Sequence, residues 1–461
     1  MENFWDYNVW SWILLFATLL VSLLVANVIK KSIPFLRESL IPTSVLGGLI
    51  LLVVAAVYKA VTGDVFFDTK VFNYNGMDNL EIITYHTLAL GFIASAFKNT
   101  NTKLTKKRSV EIFNTGVTTV STYLLQAIVG FGVTIVIAAV FLPGFFEAAG
   151  MLLPFGYGQG TGQALNYGNI YEMEHGFVGG KSFGLTIAAL GFLSASIGGV
   201  IHLNIVKHRG KLVRSNRTDG SLHSESIESA SEIPMQESMD KMTVQIALIL
   251  AAYALVYVMM LVLGKLLPGM RSVIYGFNFL LGVLSATLIK LTMNFLRKKK
   301  IIKKKYTNNF LMTRASNFFF DIMVVTGIAA IRLDILENYW GVILIVGVLG
   351  MAVTYIYNRI IAKSLFSDYA EEQFLMMYGM LTGTASTGTI LLREIDGDFK
   401  TPASDNMVYQ NFPAIVFGFP MMFLATLAPV KPILTMIIFV VFFAGMNVLL
   451  FRSKIFKRKN K

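Results

Sequence analysis

The chain has 461 residues, of which 55% are hydrophobic and 15% are charged, and this balance excludes an ordinary soluble protein. The formal net charge is +13, yet the basic residues fall where membrane topology places them, which argues against nucleic-acid binding. The sequence contains no cysteine, so disulfides and thiolate metal sites are excluded as well.

Runs of about 20 apolar residues recur along the chain, the length at which an α-helix crosses a bilayer. The first run has no basic residue before it and is followed by Lys30 and Lys31, so we interpret it as a true span rather than a signal peptide. The sequence therefore predicts an all-α polytopic membrane protein. Its eleven predicted spans lie near residues 10–29, 42–60, 82–97, 110–141, 182–206, 243–267, 272–296, 310–331, 340–361, 406–428 and 433–451.

Basic residues cluster in alternate gaps between these spans. They follow spans one, three, five, seven and nine, and they end the chain, whereas the gap after span two is acidic. The positive-inside rule then predicts an external N-terminus and a cytoplasmic C-terminus. We expect a multi-pass protein of the plasma (cytoplasmic) membrane of a bacterium, surrounded by lipid.

Two Gly-rich segments lie between long apolar spans, at corresponding places in the two halves of the chain. The first runs from Gly156 to Ala164 as GYGQGTGQA, and the second runs from Gly379 to Gly388 as GMLTGTASTG. Both are too polar for an ordinary span, and paired interruptions of this kind are typical of a transporter's binding site. We predict re-entrant hairpins at about 148–178 and 371–394, which enter the membrane from opposite faces.

The order of the spans predicts an inverted-topology repeat of two five-helix units, because an odd number of spans inverts the second copy. The first repeat covers residues 1–206, the second repeat covers 242–430, and 431–461 form an extra span with a basic cytoplasmic tail. The segment 207–241 is rich in serine and glutamate and almost free of aromatic residues. We predict a disordered cytoplasmic linker there, and a regulatory or phosphorylated loop is the alternative.

The tips of the two hairpins are candidate binding sites. Helix N-termini offer free N–H groups that suit a carboxylate, and hydroxyl or carbonyl oxygens suit Na⁺. The alternative is that these small residues only let helices pack closely. The candidate substrate-binding residues are Gly158, Gln159, Gly160, Thr161, Gly162, Gln163, Gly383, Thr384, Ala385, Ser386, Thr387 and Gly388. The candidate cation-binding residues are Thr161, Thr384, Ser386, Asn317 and Asp321, and we expect no metal ion besides Na⁺.

Span eight carries charge inside the membrane. Asp321 lies about eleven residues into the span, near the midplane by helix rise. An intramembrane carboxylate indicates a functional site, where it binds a cation or carries a proton. A structural pair with Arg314, seven residues earlier, is the alternative. Asn317 lies one turn before Asp321 and either adds a ligand or bonds a neighbouring helix.

The other polar side chains within the spans have structural interpretations. We expect interhelical hydrogen bonds from two amides, Gln126 and Asn411. We expect two imidazoles, His86 and His202, to lie at the membrane interface, and we assign neither of them a metal.

Several motifs, in a distinctive order, resemble those of the sodium/glutamate symporters. They are Gly158–Ala164, Asn169–Glu172, Gly176–Phe177, Phe183–Leu185, Gly198–Gly199, the second Gly/Thr-rich motif and the region around Asn411–Pro413. The resemblance covers essentially residues 1–430. It implies a homodimeric, Na⁺-driven importer of glutamate or a closely related dicarboxylate, with no other cofactor. It also implies an elevator-type motion, in which a transport domain with both hairpins moves against a dimerising scaffold.

The sequence departs from the pattern of that family at several points. Gln159 stands where the family's first motif has a histidine, and the second motif lacks the expected Gly-Ala-Thr-Pro-Thr run. These two departures bear on the identity of the substrate. The long linker and the extra last span do not touch the predicted site.

We predict a secondary active transporter that works by alternating access, and not an enzyme. The sequence has no P-loop lysine motif, no Gly-x-Ser-x-Gly motif and no cluster of histidines and carboxylates at one membrane face. Three alternatives stay open. They are a Na⁺- or H⁺-coupled carrier of another organic anion, an ion channel built from the same hairpins, and a membrane-embedded transferase with catalytic pairs in its aqueous loops.

Overall fold

The structure is a computed structural model that describes residues 3–98, 105–208, 232, 239–397 and 400–455. Most of the predicted linker and the basic end of the C-terminal tail lie outside these described residues. Within them the chain is helical, and one isolated β-bridge joins Glu232 to Lys305.

The described helices follow one another in this order: α1 (Tyr7–Ser32), α2 (Pro34–Glu38), α3 (Thr43–Thr62), α4 (Gly76–Phe97), α5 (Lys106–Val136), α6 (Leu152–Gln159), α7 (Thr161–His175), α8 (Gly180–His208), α9 (Lys241–Leu266), α10 (Arg271–Gly276), α11 (Asn278–Lys298), α12 (Asn309–Ala329), α13 (Trp340–Leu365), α14 (Ala370–Thr382), α15 (Ala385–Arg393), α16 (Ala403–Tyr409), α17 (Asn411–Leu427), α18 (Pro432–Leu450) and α19 (Arg452–Ile455). A π-helical turn at Ile137–Phe141 extends α5. Short 3₁₀ segments lie at Phe66–Asp68, Lys70–Phe72, Glu147–Met151, Pro268–Met270, Leu333–Leu336 and Ser367–Tyr369.

Local sequence signals set several helix boundaries. The Asp240 carboxylate caps α9 by accepting a hydrogen bond from the N–H of Met242, and Asn308 caps α12 in the same way. Gly63 and Gly176 end α3 and α7 in the left-handed backbone conformation, with φ of 81° and 71°. These helices therefore begin and end where residues that satisfy free backbone groups occur in the sequence.

Nine of the described helices are long and apolar enough to cross a membrane: α1, α3, α4, α5 with its π-helical end, α8, α9, α11, α13 and α18. This set confirms the predicted polytopic all-α membrane fold. The predicted eighth span is α12, which has a spanning length of 21 residues. It falls outside the set of nine because Arg314, Asn317 and Asp321 interrupt its apolar sequence.

The predicted tenth span, at 406–428, consists of two helices. The structure forms it from α16 and α17, which are bent by 52° with respect to each other. Pro413 lies in the first turn of α17, where its missing N–H needs no hydrogen-bond partner. Pro413 is therefore compatible with the start of a new helix at this point.

Two helices, α4 and α12, pack against each other along their length. Thr84 Oγ1 donates a hydrogen bond to Thr326 Oγ1 (2.9 Å), and Ser316 Oγ donates to the carbonyl of Gly91 (3.0 Å). Gly91 also leaves room for the ring of Phe320. Each of these two helices is flanked by a helix from the other half of the chain. Helix α3 packs on α12, and α11 packs on α4.

The hairpin helices pack around α5, α8 and α13. The first pair, α6 and α7, packs on α8, and the second pair, α14 and α15, packs on α13 and α8. The last long helix, α18, packs on α5, and a hydrogen bond of 2.9 Å from the Tyr357 hydroxyl to Asn447 Oδ1 ties it to α13. The two Gly-rich segments therefore lie inside the helix bundle and not at its rim.

Candidate functional site

The first hairpin turns at Gly160. Its backbone has φ 79° and ψ −172°, a region of conformational space that is essentially restricted to glycine. Helix α6 ends at this residue and α7 starts directly after it. The rings of Phe155 and Tyr167 stack with centroids 3.7 Å apart, which holds α6 and α7 side by side.

The second hairpin turns at Gly383 and Thr384. The Thr384 side chain caps α15 by accepting a hydrogen bond from the N–H of Thr387 at 3.4 Å. Gly388 packs directly on α14, since a Cβ there would lie 2.5 Å from the Met376 carbonyl oxygen. A helix, a break and a second helix therefore occupy each of the two predicted hairpin segments.

The tips of the two hairpins meet. A Cβ atom at Gly160 would lie 3.8 Å from Thr384 Cγ2 and 3.8 Å from Met323 Cε. Thr161 Oγ1 donates a hydrogen bond to the Met323 carbonyl at 3.1 Å. Residues that are 224 positions apart in the sequence (384 − 160) thus lie together, beside α12.

The two tips differ in exposure. In the first tip, Thr161 and Gln163 are buried and Gln159 is half-buried. In the second tip, Ala385 and Ser386 are exposed. The start of α15 is therefore open, and its first N–H groups lack partners within the helix. Such an end attracts anionic groups.

Three of the predicted site glycines have packing roles. Gly158 faces the ring of Tyr123, whose Cε1 would lie 2.1 Å from a Cβ, and the Tyr123 hydroxyl donates to the Gly158 carbonyl at 3.0 Å. Gly162 packs on Leu88, and Gly388 packs on α14 as described above. At these three positions the absence of a side chain lets neighbouring helices pack closely.

The structure does not bring Asp321 and Asn317 to the hairpin tips. Met323 faces the tips, and a residue two positions earlier lies on a different face of the helix. Asp321 and Asn317 are both exposed on the surface of α12. Arg314 lies over the ring of Phe310, at 5.0 Å, and not in an ion pair with Asp321.

Three polar side chains near the hairpins, His202, Glu371 and Arg359, form a cluster that the sequence did not reveal. His202, predicted at the interface, is 1% exposed, and its Nε2 lies 2.8 Å from Glu371 Oε2 at the start of α14. Arg359 donates to both oxygens of Glu371, at 2.6 Å each. No local pattern points to this cluster, because its members lie on three separate helices.

Hydroxyl groups of hairpin tyrosines donate hydrogen bonds to carbonyls of helices that are distant in the sequence. Tyr167 and Tyr171 of α7 donate to carbonyls of α17, each at 2.8 Å. Tyr378 of α14 donates to the Ser194 carbonyl of α8, also at 2.8 Å. Each hairpin is therefore attached to a long helix of the opposite half of the chain.

The amide of Gln126 confirms the predicted interhelical hydrogen bonding. Its Nε2 donates to Thr354 Oγ1 at 2.8 Å and to the carbonyl of Leu381 at 2.9 Å. Asn411 differs from the prediction, because its Oδ1 accepts from the neighbouring Gln410. Within the described part of the chain, no group of three or more histidine, cysteine or acidic residues has the arrangement of a metal site.

Comparison with known proteins gives one family. The sequence model of that family, described as Sodium/glutamate symporter, matches residues 11–373. The match covers well over half of the chain and includes the first hairpin. It ends at the start of α14, so the second tip lies beyond it. No curated protein matches the chain.

Proposed function

The chain belongs to the sodium/glutamate symporter family, and we propose that it imports L-glutamate, or a closely related dicarboxylate, together with Na⁺ by alternating access. The observation that carries this proposal is the contact between the two hairpin tips at Gly160 and Thr384. Irregular backbone at membrane depth is tolerated only within protein or beside a wet cavity. Two such breaks that meet are typical of a transporter's substrate site.

The substrate carboxylates would bind at the open start of α15. The free N–H groups near Ala385 and Ser386 supply donors and a partial positive charge. The Thr161 and Thr384 hydroxyls and the carbonyls freed at the two breaks supply oxygen atoms for Na⁺. Asp321 and Asn317 form a separate candidate for cation or proton binding, on another face of α12.

We infer an inverted repeat from the crosswise attachments. Each hairpin donates tyrosine hydrogen bonds to a helix of the other half, α7 to α17 and α14 to α8. The flanking helices α3 and α11 are exchanged between the halves in the same manner. Both features are expected of two units that are related by a pseudo-two-fold axis in the membrane plane.

The remaining features of the proposal follow from the distribution of charge and from the family. From the positive-inside rule we propose an N-terminus outside and a C-terminus in the cytoplasm, and we propose a bacterial cell as the location. We propose a homodimer in the plasma membrane and an elevator-type motion, with residues 1–206 and 242–430 as the two repeats.

Uptake of radiolabelled L-glutamate into proteoliposomes tests the proposal. We expect accumulation that requires an inward Na⁺ gradient and that collapses when a Na⁺ ionophore is added. A K⁺ gradient of equal size is the matched control. Single-channel currents without concentrative uptake would establish a channel and contradict the proposal.

Another organic anion is the second candidate substrate. Gln159 in place of the family's histidine and the end of the family match before the second tip both favour testing it. If Na⁺ stabilises the purified protein and glutamate is not taken up, carboxylates are screened by thermal shift with and without Na⁺. A Na⁺-dependent shift with a different anion would reassign the substrate and keep the mechanism.

A further inference from the structure

We propose a Na⁺ site formed by Gln126, Thr354 and Asn358, beside the last turn of α14. The proposal rests on Na⁺-coupled transport as the function and adds the position of one coupling ion. Its residues belong to α5 and α13, and none of them is among the sequence-predicted cation ligands. The observations that lead to it are two buried oxygen atoms without partners.

The first such oxygen is Gln126 Oε1. The Gln126 side chain is 0% exposed, and this oxygen has no hydrogen-bond partner among the described residues. The orientation of the amide is set by chemistry, because the Leu381 carbonyl can only accept and therefore requires Nε2 at 2.9 Å. The unpartnered atom is thus an acceptor and not a misassigned donor.

The second oxygen is Asn358 Oδ1. Asn358 is 1% exposed, and its Nδ2 donates to the Thr354 carbonyl at 2.9 Å. That carbonyl is again an obligate acceptor, so Oδ1 is left without a partner in the described structure. Gln126 and Asn358 therefore bond to the same residue, Thr354, and each has a free oxygen.

Further oxygen atoms surround these two amides. Thr354 is 0% exposed, and its hydroxyl oxygen accepts from Gln126 Nε2. Leu381 lies in the last turn of α14, where a carbonyl receives no hydrogen bond from an N–H of the same helix. Its oxygen accepts from Gln126 Nε2 and can take a second partner. The hydrogen bonds thus link buried residues of three helices, each with a neutral oxygen atom, next to the second tip.

Neutral oxygen atoms favour a monovalent cation. A buried acceptor without a partner destabilises a protein, so an ordered water or a cation is expected there. Na⁺ prefers oxygen ligands and can be held by carbonyls and hydroxyls alone, whereas divalent ions usually take carboxylates. The position next to the second tip favours the coupling ion over a structural water.

The site links ion binding to the shape of the hairpin. An ion held by Gln126 and Asn358 next to Leu381 would join α5 and α13 to the end of α14. The second tip begins one residue after Thr382, and its residues Ala385 and Ser386 are exposed. Na⁺ would therefore order the tip before the substrate binds, which is a direct route to coupling.

The test is the thermal stability of the purified full-length protein as Na⁺ replaces K⁺ at constant ionic strength, without substrate. We expect Na⁺ to stabilise the wild type, and we expect Gln126→Leu and Asn358→Leu to raise the half-saturating Na⁺ concentration at least tenfold. Asn278→Leu is the matched control. Asn278 is also a buried amide with an unpartnered oxygen, but it lies on α11, and its Na⁺ response should equal that of the wild type.

Hydrogen exchange of α14 and α15 provides an independent readout. Na⁺ should slow exchange in residues 370–393 of the wild type and not in the two leucine variants. Should the leucine variants not fold, Thr354→Val, which replaces one hydroxyl with a methyl group of similar size, is expected to weaken the Na⁺ response severalfold.

The outcomes separate this site from the proposed function. A wild-type Na⁺ response that all three variants retain would overturn the site, assign a water to these oxygens and leave Na⁺-coupled transport intact. A wild type without any Na⁺ response, in stability and in uptake, would overturn the proposed function together with the site.

Discussion

Gly160 is the residue whose backbone conformation shapes the first hairpin. Its φ of 79° with ψ of −172° lies outside the regions open to residues with a Cβ. The space around it is not the constraint, because the nearest atoms to a Cβ there are 3.8 Å away. The requirement for glycine is therefore conformational, unlike that at Gly158, where the ring of Tyr123 fills the space.

Gly160→Ala tests this distinction. We expect a strain of about 1–3 kcal/mol, a lower melting temperature and Na⁺-driven uptake reduced at least tenfold. Gly445→Ala is the control, since nothing lies within 4 Å of a Cβ at this position in α18, and helix propensity makes it neutral or slightly stabilising. Wild-type melting and uptake in Gly160→Ala would contradict the conformational argument.

Glu232 shows how a charged residue of the predicted linker is held. Its carboxylate lies 3.0 Å from Lys241 Nζ and 3.5 Å from Lys305 Nζ, and it accepts from Asn308 Nδ2 at 2.7 Å. Burial raises the pKa of Glu232, but hydrogen bonds from Asn308 and Lys241 and the nearby positive charges outweigh burial and lower it. The contact therefore stabilises the protein only while the carboxylate is charged.

Glu232→Gln should destabilise the protein in a pH-dependent way. Because the pKa is lower in the folded than in the unfolded chain, the stabilisation is complete above the unfolded value of about 4.3 and is lost as pH falls through the folded value. We expect a loss of about 1–2 kcal/mol at pH 7, less than for an enclosed pair because Lys305 contacts water. Melting curves between pH 4 and 8 measure this loss of stability. Glu38→Gln is the control, because Glu38 is exposed. A difference in stability between variant and wild type that does not depend on pH would contradict a stabilising role for the Glu232 charge.

At the scale of elements, the sequence predicted those helices and breaks that depend on a local sequence pattern. The breaks at Gly160 and at Thr384 follow from glycines and a capping threonine, and long apolar runs predicted the spans. The bend between α16 and α17 was missed, because Pro413 suits either the first turn of a helix or a kink within it. A single chain gives no local signal to choose between them.

The candidate site depends on contacts that no local pattern encodes. Gln126 meets Thr354 across 228 positions, and His202 meets Glu371 across 169. In a bilayer, apolar residues suit both faces of a helix, so periodicity does not reveal which face turns inward. For the same reason Asp321 could be placed at the midplane by its depth, but not on a particular side of α12.

Glu371 fixes the start of the second hairpin. It joins α14 to α8 through His202 and to α13 through Arg359, which is largely buried. Glu371→Gln leaves the Arg359 charge without its partner. We expect hydrogen exchange to accelerate at least tenfold in α14 and α15 and to stay unchanged in α6 and α7.

Glu372→Gln is the control for this prediction. Glu372 lies on the same turn of α14 and forms no ion pair with the described residues. Its exchange pattern should match the wild type. Equal acceleration in both variants would mean that α14 responds to any loss of charge, and the specific role of Glu371 would be wrong.

At the scale of the whole molecule, ion pairs join helices at the end opposite the basic gaps. Lys181 Nζ at the start of α8 lies 2.7 Å from Glu81 Oε2 of α4. It also lies 3.8 Å from Glu172 Oε1 of α7. Arg332 pairs with Asp78 at 3.0 Å. Lys181 thus bridges the hairpin helices to α4, which packs with α9, α11 and α12 in a second apolar cluster.

The two partners of Lys181 make the proposed motion testable. If α7 and α8 carry the first hairpin past α4, the contact between Glu81 and Lys181 must open in each cycle, whereas that between Glu172 and Lys181 must persist. The chain has no cysteine, so pairs of introduced cysteines react without background. Glu81→Cys with Lys181→Cys, joined by a short bifunctional thiol reagent, should abolish Na⁺-driven uptake.

Glu172→Cys with Lys181→Cys is the matched control, because it shares one position and the same reagent. This pair should cross-link equally well and retain most of its uptake, since α7 and α8 pack through glycine contacts as close as Gly168 on Gly180 and Gly184 on Ala164. The three single-cysteine variants, treated alike, correct for the lost charges. Transport that continues with α4 fixed to α8 would contradict a motion between these bodies, and any alternating access would then arise from the hairpins alone.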